Sequence, residues 1–200
     1  MYKRQVKIVK ELSYEPTDPT IDSQINTLAA SGASVFLNIT SGRATTQSIR
    51  AIANMQWRPV HLLNGRWADI GATFKPVGMD KAVGIISAQF LKSPYDPSWN
   101  EDPGMKEYIA FMNKYRPGAD AYAAKNQYGY LAAQLLAHLL TEAGNKLTRE
   151  NIVNVSMNLK KLKFGLLLPS VEINTSASHR HLIQDQVLTR FDGERFVPLQ

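Results

Sequence analysis

Residues 61–67 read His61-Leu62-Leu63-Asn64-Gly65-Arg66-Trp67, and the fold turns on how the chain continues beyond the apolar run. Asn-Gly is the dipeptide that most often closes a two-residue β-hairpin, because both of its residues tolerate positive φ. A hairpin needs a second strand at once. The next strand-like run, Val83 to Phe90, begins far downstream, and Asp69 to Lys75 between them reads as a short helix closed near Gly78. Val60 to Leu63 is therefore a strand that ends in a loop and leads to a helix, as in a parallel sheet.

The same alternation extends to both sides. Upstream, Val6 to Ser13 alternates apolar and polar residues and predicts a strand. Pro16, Asp18 and Pro19 punctuate the chain, and Thr20 is the expected N-cap of a helix carrying Ile21, Ile25, Leu28 and Ala29, stopped by Gly32. Ser34 to Ile39 predicts a strand buried on both faces. Thr40-Ser41-Gly42 turns the chain into a helix over Ala44 to Met55, ended by Trp57-Arg58-Pro59. The reading is strand, helix, strand, helix, strand, helix, strand, which means βαβ units with right-handed crossovers: an α/β fold with a parallel sheet flanked by helices.

Downstream of Leu91 the character changes. Ser93-Pro94-Tyr95-Asp96-Pro97 and Asp102-Pro103-Gly104 form a punctuated linker. Three helices come next: Met105 to Tyr115, the apolar Gln127 to Ala143, and one opened by Thr148 as N-cap. The tail turns to β, with Val171 to Asn174, Gln186 to Phe191 and Phe196-Val197, the last two joined by an Asp192-Gly193 hairpin signal. Met1 to Gln5 fit no pattern and are expected to be a scar, outside the fold.

Composition narrows the function classes. The chain has 200 residues, 44% hydrophobic and 20% charged, and a net charge of +6, with Lys and Arg scattered rather than clustered with aromatics. No nucleic-acid partner is expected from that pattern. No apolar run nears the roughly 20 residues that span a bilayer, so no direct membrane insertion is expected. Without cysteine there is no disulfide, thiolate metal site or Cys nucleophile. No G-x-S-x-G elbow exposes a serine, which disfavours a hydrolase. His61 and His138 sit in apolar stretches and read as core histidines. His179 and His181, at i and i+2, would share a face on a strand, but they lack a third metal ligand and read as a solvated loop, so neither a metal nor another cofactor is expected.

What remains is positional. In an open parallel sheet, ligands bind outside the carboxyl ends of the strands. Those ends carry Thr40-Ser41-Gly42, Asn64-Gly65-Arg66-Trp67 and, as a third candidate, Leu91 to Tyr95: hydroxyls, an amide, a guanidinium and an aromatic, with no acid–base pair. The Thr40 turn opens a helix, whose N-terminus attracts a carboxylate; the same residues equally describe an ordinary βα turn. These are recognition groups, and the chain is expected not to be an enzyme.

The ordered set Tyr14-Glu15-Pro16, Asp18, Asp22-Ser23-Gln24, Leu28, Ser31-Gly32-Ala33, Val35, Gly78, Gly84-Ile85-Ile86, Tyr95-Asp96-Pro97, Gly104-Met105-Lys106, Phe111-Met112, Tyr115, Tyr128-Gly129-Tyr130, Ala133-Gln134 and Arg190-Phe191-Asp192-Gly193 resembles the periplasmic solute receptors of branched-chain amino-acid-type ABC importers. The resemblance implies the type I periplasmic-binding fold: two α/β lobes joined by crossovers, which close on a ligand by a hinge motion. On that plan residues 6–91 are most of the second lobe, 92–169 the helical return to the first lobe, and 170–200 a crossover and terminal hairpin. The hinges fall near Ser93 and Pro169. The chain then starts inside the second lobe, with the first-lobe sheet and the signal peptide of a periplasmic protein missing.

The resemblance further implies a small organic ligand and a membrane permease as partners. It makes Thr40 and Ser41 ligand contacts and places Tyr128 on the cleft. Relatives that hold an amino acid have an acidic side chain just after the strand matching Val60 to Leu63. Here Asn64-Gly65-Arg66-Trp67 stands there, with no acid before Asp69. Arg66 suits a carboxylate and Trp67 an aromatic acid; both residues also fit lid surface or inter-lobe packing. A sensory or regulatory ligand domain of the same fold is the alternative.

Overall fold

The computed structural model describes residues 7–199. The chain divides into two units: one holds the chain up to Ser87 together with the stretch from Leu188 onward, and the other is Ala88–Val187.

The first unit is built on a sheet ordered β1-β2-β3-β4-β5, with β1 Val35–Asn38, β2 Val60–Leu63, β3 Ile86–Gln89, β4 Val187–Phe191 and β5 Phe196–Pro198. β1 pairs with β2 in parallel, Val35 opposite Val60 and Asn38 opposite Leu63, and β2 with β3 in parallel. β4 and β5 form an antiparallel hairpin, with Phe191 opposite Phe196 and Gly193 in the turn at φ +115°. Helix α1 (Asp22–Ala30) precedes β1, and α2 (Arg43–Ala53) links β1 to β2. Between β2 and β3 the chain makes a π-helical turn, Ile70–Phe74, then α3 (Lys75–Val77) and a 3₁₀ turn. Asp69 caps this turn by accepting from the Ala72 N–H at 2.8 Å.

Burial tracks one face of the sheet. Ile21, Ile25, Phe36, Ala44 and Ile52 pack together, with Trp57 tilted against Phe36 at 5.6 Å. Phe74 is fully buried against Phe191 and Phe196, at 4.7 and 5.6 Å. The opposite face of β1 is bare: Val35, Leu37 and Ile39 are 49%, 62% and 72% exposed, so the expected two-sided burial of Ser34 to Ile39 does not hold. Nor is the expected strand at the start found. Lys7 to Ser13 carry no secondary structure and expose Ile8 and Val9 (Val6 and the scar residues lie outside the described residues). Alternation makes a strand only where a neighbour supplies hydrogen bonds, and among the described residues β1 pairs only with β2. Helix α1 also starts later than expected, with Ile21 at its N-cap position; Thr20 Oγ1 instead accepts from the Asp22 N–H at 3.2 Å.

The second unit holds α4 (Pro103–Tyr115), α5 (Ala124–Ala143) and α6 (Arg149–Ser156). Asp102 and Thr148 cap α4 and α6 through side-chain oxygens. Its core gathers Leu131, Leu139, Leu159, Leu167, Val171 and Ile173. Lys92 is 8% exposed, and its ammonium meets Asp102 and the Gly165 carbonyl, both at 2.7 Å. Burial pushes the Asp102 carboxyl up, but Lys92 and the backbone N–H groups of Met105 and Gly104 outweigh it and hold it below its usual range. Gly104 and Gly165 touch backbone to backbone, so that a Cβ on Gly104 would lie 2.4 Å from the Gly165 Cα. Val171 to Asn174, expected as a strand, contribute only isolated bridges, from Ile173 to Leu162 and Ile183.

Candidate functional site

The C-terminal ends of β1 and β2 lie side by side, as parallel pairing requires, and their loops are stitched together. Asn64 Nδ2 donates to the Thr40 carbonyl at 3.0 Å, and the Asn64 N–H to the Asn38 carbonyl at 3.1 Å. The Trp67 N–H returns to the Asn64 carbonyl at 3.2 Å, closing a turn over Asn64-Gly65-Arg66-Trp67. Asn-Gly thus makes a turn here, but one that leads into the π-helical segment rather than a hairpin.

Below the turns lies a buried polar network. Asn38 is 1% exposed. Its Nδ2 donates to Ser48 Oγ at 2.8 Å and meets His61 Nε2 at 3.0 Å, and its Oδ1 accepts from the Thr40 N–H and hydroxyl at 3.1 and 2.6 Å. Thr40 Oγ1 also lies 3.1 Å from Thr45 Oγ1. Burial lowers His61 from 6.5 to about 4, keeping the imidazole neutral.

Above the turns is a pocket of about 290 Å³, lined by Tyr14, Glu15, Pro16, Asp18, Ser41, Gly42, Arg43, Ala44, Gln47 and Trp67. Tyr14 carries its loop to the β1 end: its hydroxyl accepts from the Ser41 N–H at 2.9 Å and pairs with Ser41 Oγ at 3.0 Å. Arg43 Nη2 donates to the Asp18 carbonyl at 2.6 Å. Gly42, at φ +55°, stands at the N-cap of α2, and no side chain caps that helix. The first-turn amides and the positive end of the helix dipole therefore border the pocket, an arrangement suited to an anion.

Of the residues expected from sequence, Ser41, Gly42 and Trp67 line the pocket together; Trp67 Cη2 lies 3.9 Å from the Cβ that Gly42 lacks. Thr40 and Asn64 sit beneath it, committed to internal hydrogen bonds. Gly65 is half-buried in the turn. Arg66 is exposed, its guanidinium over the Trp67 ring at 5.9 Å, and does not line the pocket. Tyr128 belongs to the other unit, on α5, with its ring edge-on to Phe90 at 5.5 Å.

Tyr14, Glu15, Asp18, Arg43 and Gln47 were not expected there. Their signal was the loop from Tyr14 to Pro19, polar and aromatic groups held between prolines at the end of a strand-like run. Glu15 and Asp18 place two acidic residues on the pocket lining, whereas the Asn64 to Trp67 turn has none. Among the described residues no group of three or more His, Cys, Asp or Glu could hold a metal, and no helix is long and apolar enough to cross a membrane.

No curated protein matches the chain. Solved structures do. A substrate-binding periplasmic protein from Ralstonia solanacearum aligns with TM-score 0.75 at 17% identity, over 90% of this chain and 49% of that one. A branched chain amino acid ABC transporter protein from Thermus thermophilus, with bound valine, aligns with TM-score 0.70 at 16% identity, over 90% and 48%. A possible leucine/isoleucine/valine-binding protein from Rhodopirellula baltica aligns with TM-score 0.65 at 17% identity, over 84% and 42%. At such identities the likeness is one of fold, and the chain spans about half the length of these solved proteins. The family model for periplasmic binding proteins matches residues 2–195, and the chain belongs to that family.

Proposed function

We propose that this chain is a ligand-binding component of an ABC importer, which works outside the cytoplasmic membrane and delivers a small carboxylate-bearing solute to a membrane permease. One observation carries the reading: the pocket at the ends of β1 and β2 is bordered by the uncapped N-terminus of α2, with Arg43 beside it and Trp67 and Tyr14 as aromatic walls. A carboxylate at Gly42 to Ala44 accepts from main-chain amides and faces the helix dipole. The aromatic walls cover the apolar part of the solute, and the turns beneath, pinned by Asn64 and Thr40, keep those amides in place.

Glu15 and Asp18 favour an α-amino acid over a simple organic acid, because an ammonium group beside the carboxylate then meets a counter-charge. The experiment is a thermal-shift and calorimetric comparison of L-leucine, benzoate and leucinamide, which lacks the carboxylate. Leucine or benzoate should stabilise the chain, by about 2.7 kcal/mol at a hundredfold excess over Kd, and leucinamide should not. Equal stabilisation by leucinamide would remove the carboxylate site. With Glu15→Gln, leucine affinity should fall and benzoate affinity hold; the reverse would exclude the amino-acid reading.

A further inference from the structure

An asparagine side chain offers two N–H donors and a carbonyl with two lone pairs, and Asn38 uses all of them within the fold. Its orientation is fixed at both ends. Thr40 N–H can only donate, so the oxygen of the amide must face it, at 3.1 Å. Ser48 gives its own proton to the Thr45 carbonyl at 2.8 Å, and so accepts from Asn38 Nδ2. The remaining Nδ2 proton points at His61 Nε2, 3.0 Å away. That nitrogen must therefore be an acceptor, and the imidazole must carry its single proton on Nδ1.

Phe36 lies tilted against the ring at 5.0 Å. The strands paired with β2, β1 and β3, bear no charged residue, and Arg43 and Arg50 of α2, the helix that supplies Ser48, are exposed and donate to the Asp18 and Pro76 carbonyls. Burial alone lowers the affinity of His61 for a proton.

We infer that Asn38 is a positioning residue for the Thr40–Gly42 turn, and that it holds the turn in its pocket-forming conformation only while His61 is neutral. This rests on the ligand-pocket reading above. A proton on Nε2 would set an N–H against an N–H. The amide could relieve that clash only by turning over, which withdraws the oxygen from both Thr40 donors and frees the turn that places Ser41 and Gly42. Asn38→Asp makes the converse prediction. A carboxylate still accepts from Thr40 but offers His61 a second acceptor, so the imidazole should take up a proton to donate to it.

The test is imidazole and amide NMR under monomeric conditions. In the wild type, His61 should be the Nδ1–H tautomer at pH 7, and the Thr40 amide should titrate with the imidazole, with a midpoint of about 4. In Asn38→Asp the His61 midpoint should rise above its ordinary 6.5. An Nε2–H tautomer, a Thr40 amide indifferent to the imidazole, or an Asn38→Asp midpoint still near 4 would overturn the inference. If Asn38→Asp does not fold, the two wild-type measurements decide. Calorimetry with L-leucine and benzoate runs beside them on Asn38→Ala, which removes the oxygen that Thr40 donates to, and affinity for whichever the wild type binds is expected to fall at least tenfold. Retained affinity would contradict positioning. If the wild type binds neither, the pocket reading fails while the NMR result still decides the role of Asn38 in the turn.

Discussion

Arg43 and Arg66 are separated by their surroundings rather than their chemistry. Arg43 lines the pocket beside the α2 N-terminus, whereas Arg66 lies outside it over the Trp67 ring. For a carboxylate ligand, Arg43→Ala should weaken binding by about 1.5–3 kcal/mol, the range of a hydrogen bond to a charged group. Arg66→Ala should weaken it by only about 0.5–1 kcal/mol, through a less ordered Trp67. Calorimetry on the two variants checks the order, and a larger loss at Arg66 would put the site on the other side of Trp67. His61 adds a pH dependence. Between about 4 and 6.5 it is neutral when folded and protonated when unfolded, so the unfolded state binds more protons and stability rises with pH. The contribution is intact above 6.5 and lost as pH falls to 4, roughly 3 kcal/mol in all. Denaturant titrations at pH 7 and 4 should show this loss in the wild type but not in His61→Gln.

At the scale of elements, the alternation of strands and helices was legible because each strand ends in a polar turn and each helix carries its own apolar spacing. Asn64-Gly65 was correctly separated from Asp192-Gly193 by asking whether a second strand comes at once. Burial was less legible. Ser34 to Ile39 looks two-sided because Val35, Leu37 and Ile39 are apolar, but apolar side chains do not summon a cover, and that face is bare. The Lys7 to Ser13 pattern failed because that stretch pairs with no strand among the described residues. The site was half legible: the strand ends were named, while the loop of Tyr14 to Asp18 reaches Ser41 across 27 residues, a distance no local pattern encodes. Two contacts that spacing could not foresee should govern stability. Phe74→Ala, which empties the place between Phe191 and Phe196, should destabilise by about 3–5 kcal/mol. Gly104→Ala, which drives a methyl into the Gly165 backbone, should destabilise by about 1–3 kcal/mol or more. Denaturant midpoints measure both.

For the whole molecule, the uncovered apolar groups are the main physical consequence. Val35, Leu37, Ile39 and Val60 lie bare on the sheet, and Leu136 and Leu140 on α5. Patches of this kind drive association, so sedimentation velocity should show self-association that grows with concentration. Leu37→Lys should reduce it. The central claim is that a carboxylate is held at the ends of β1 and β2. Hydrogen–deuterium exchange of the chain with and without L-leucine or benzoate tests it most directly. Exchange should slow at the amides of Gly42 to Ala44 with the ligand that binds, and leucinamide should leave them unchanged. Binding of either carboxylate with no protection at those amides would contradict the account.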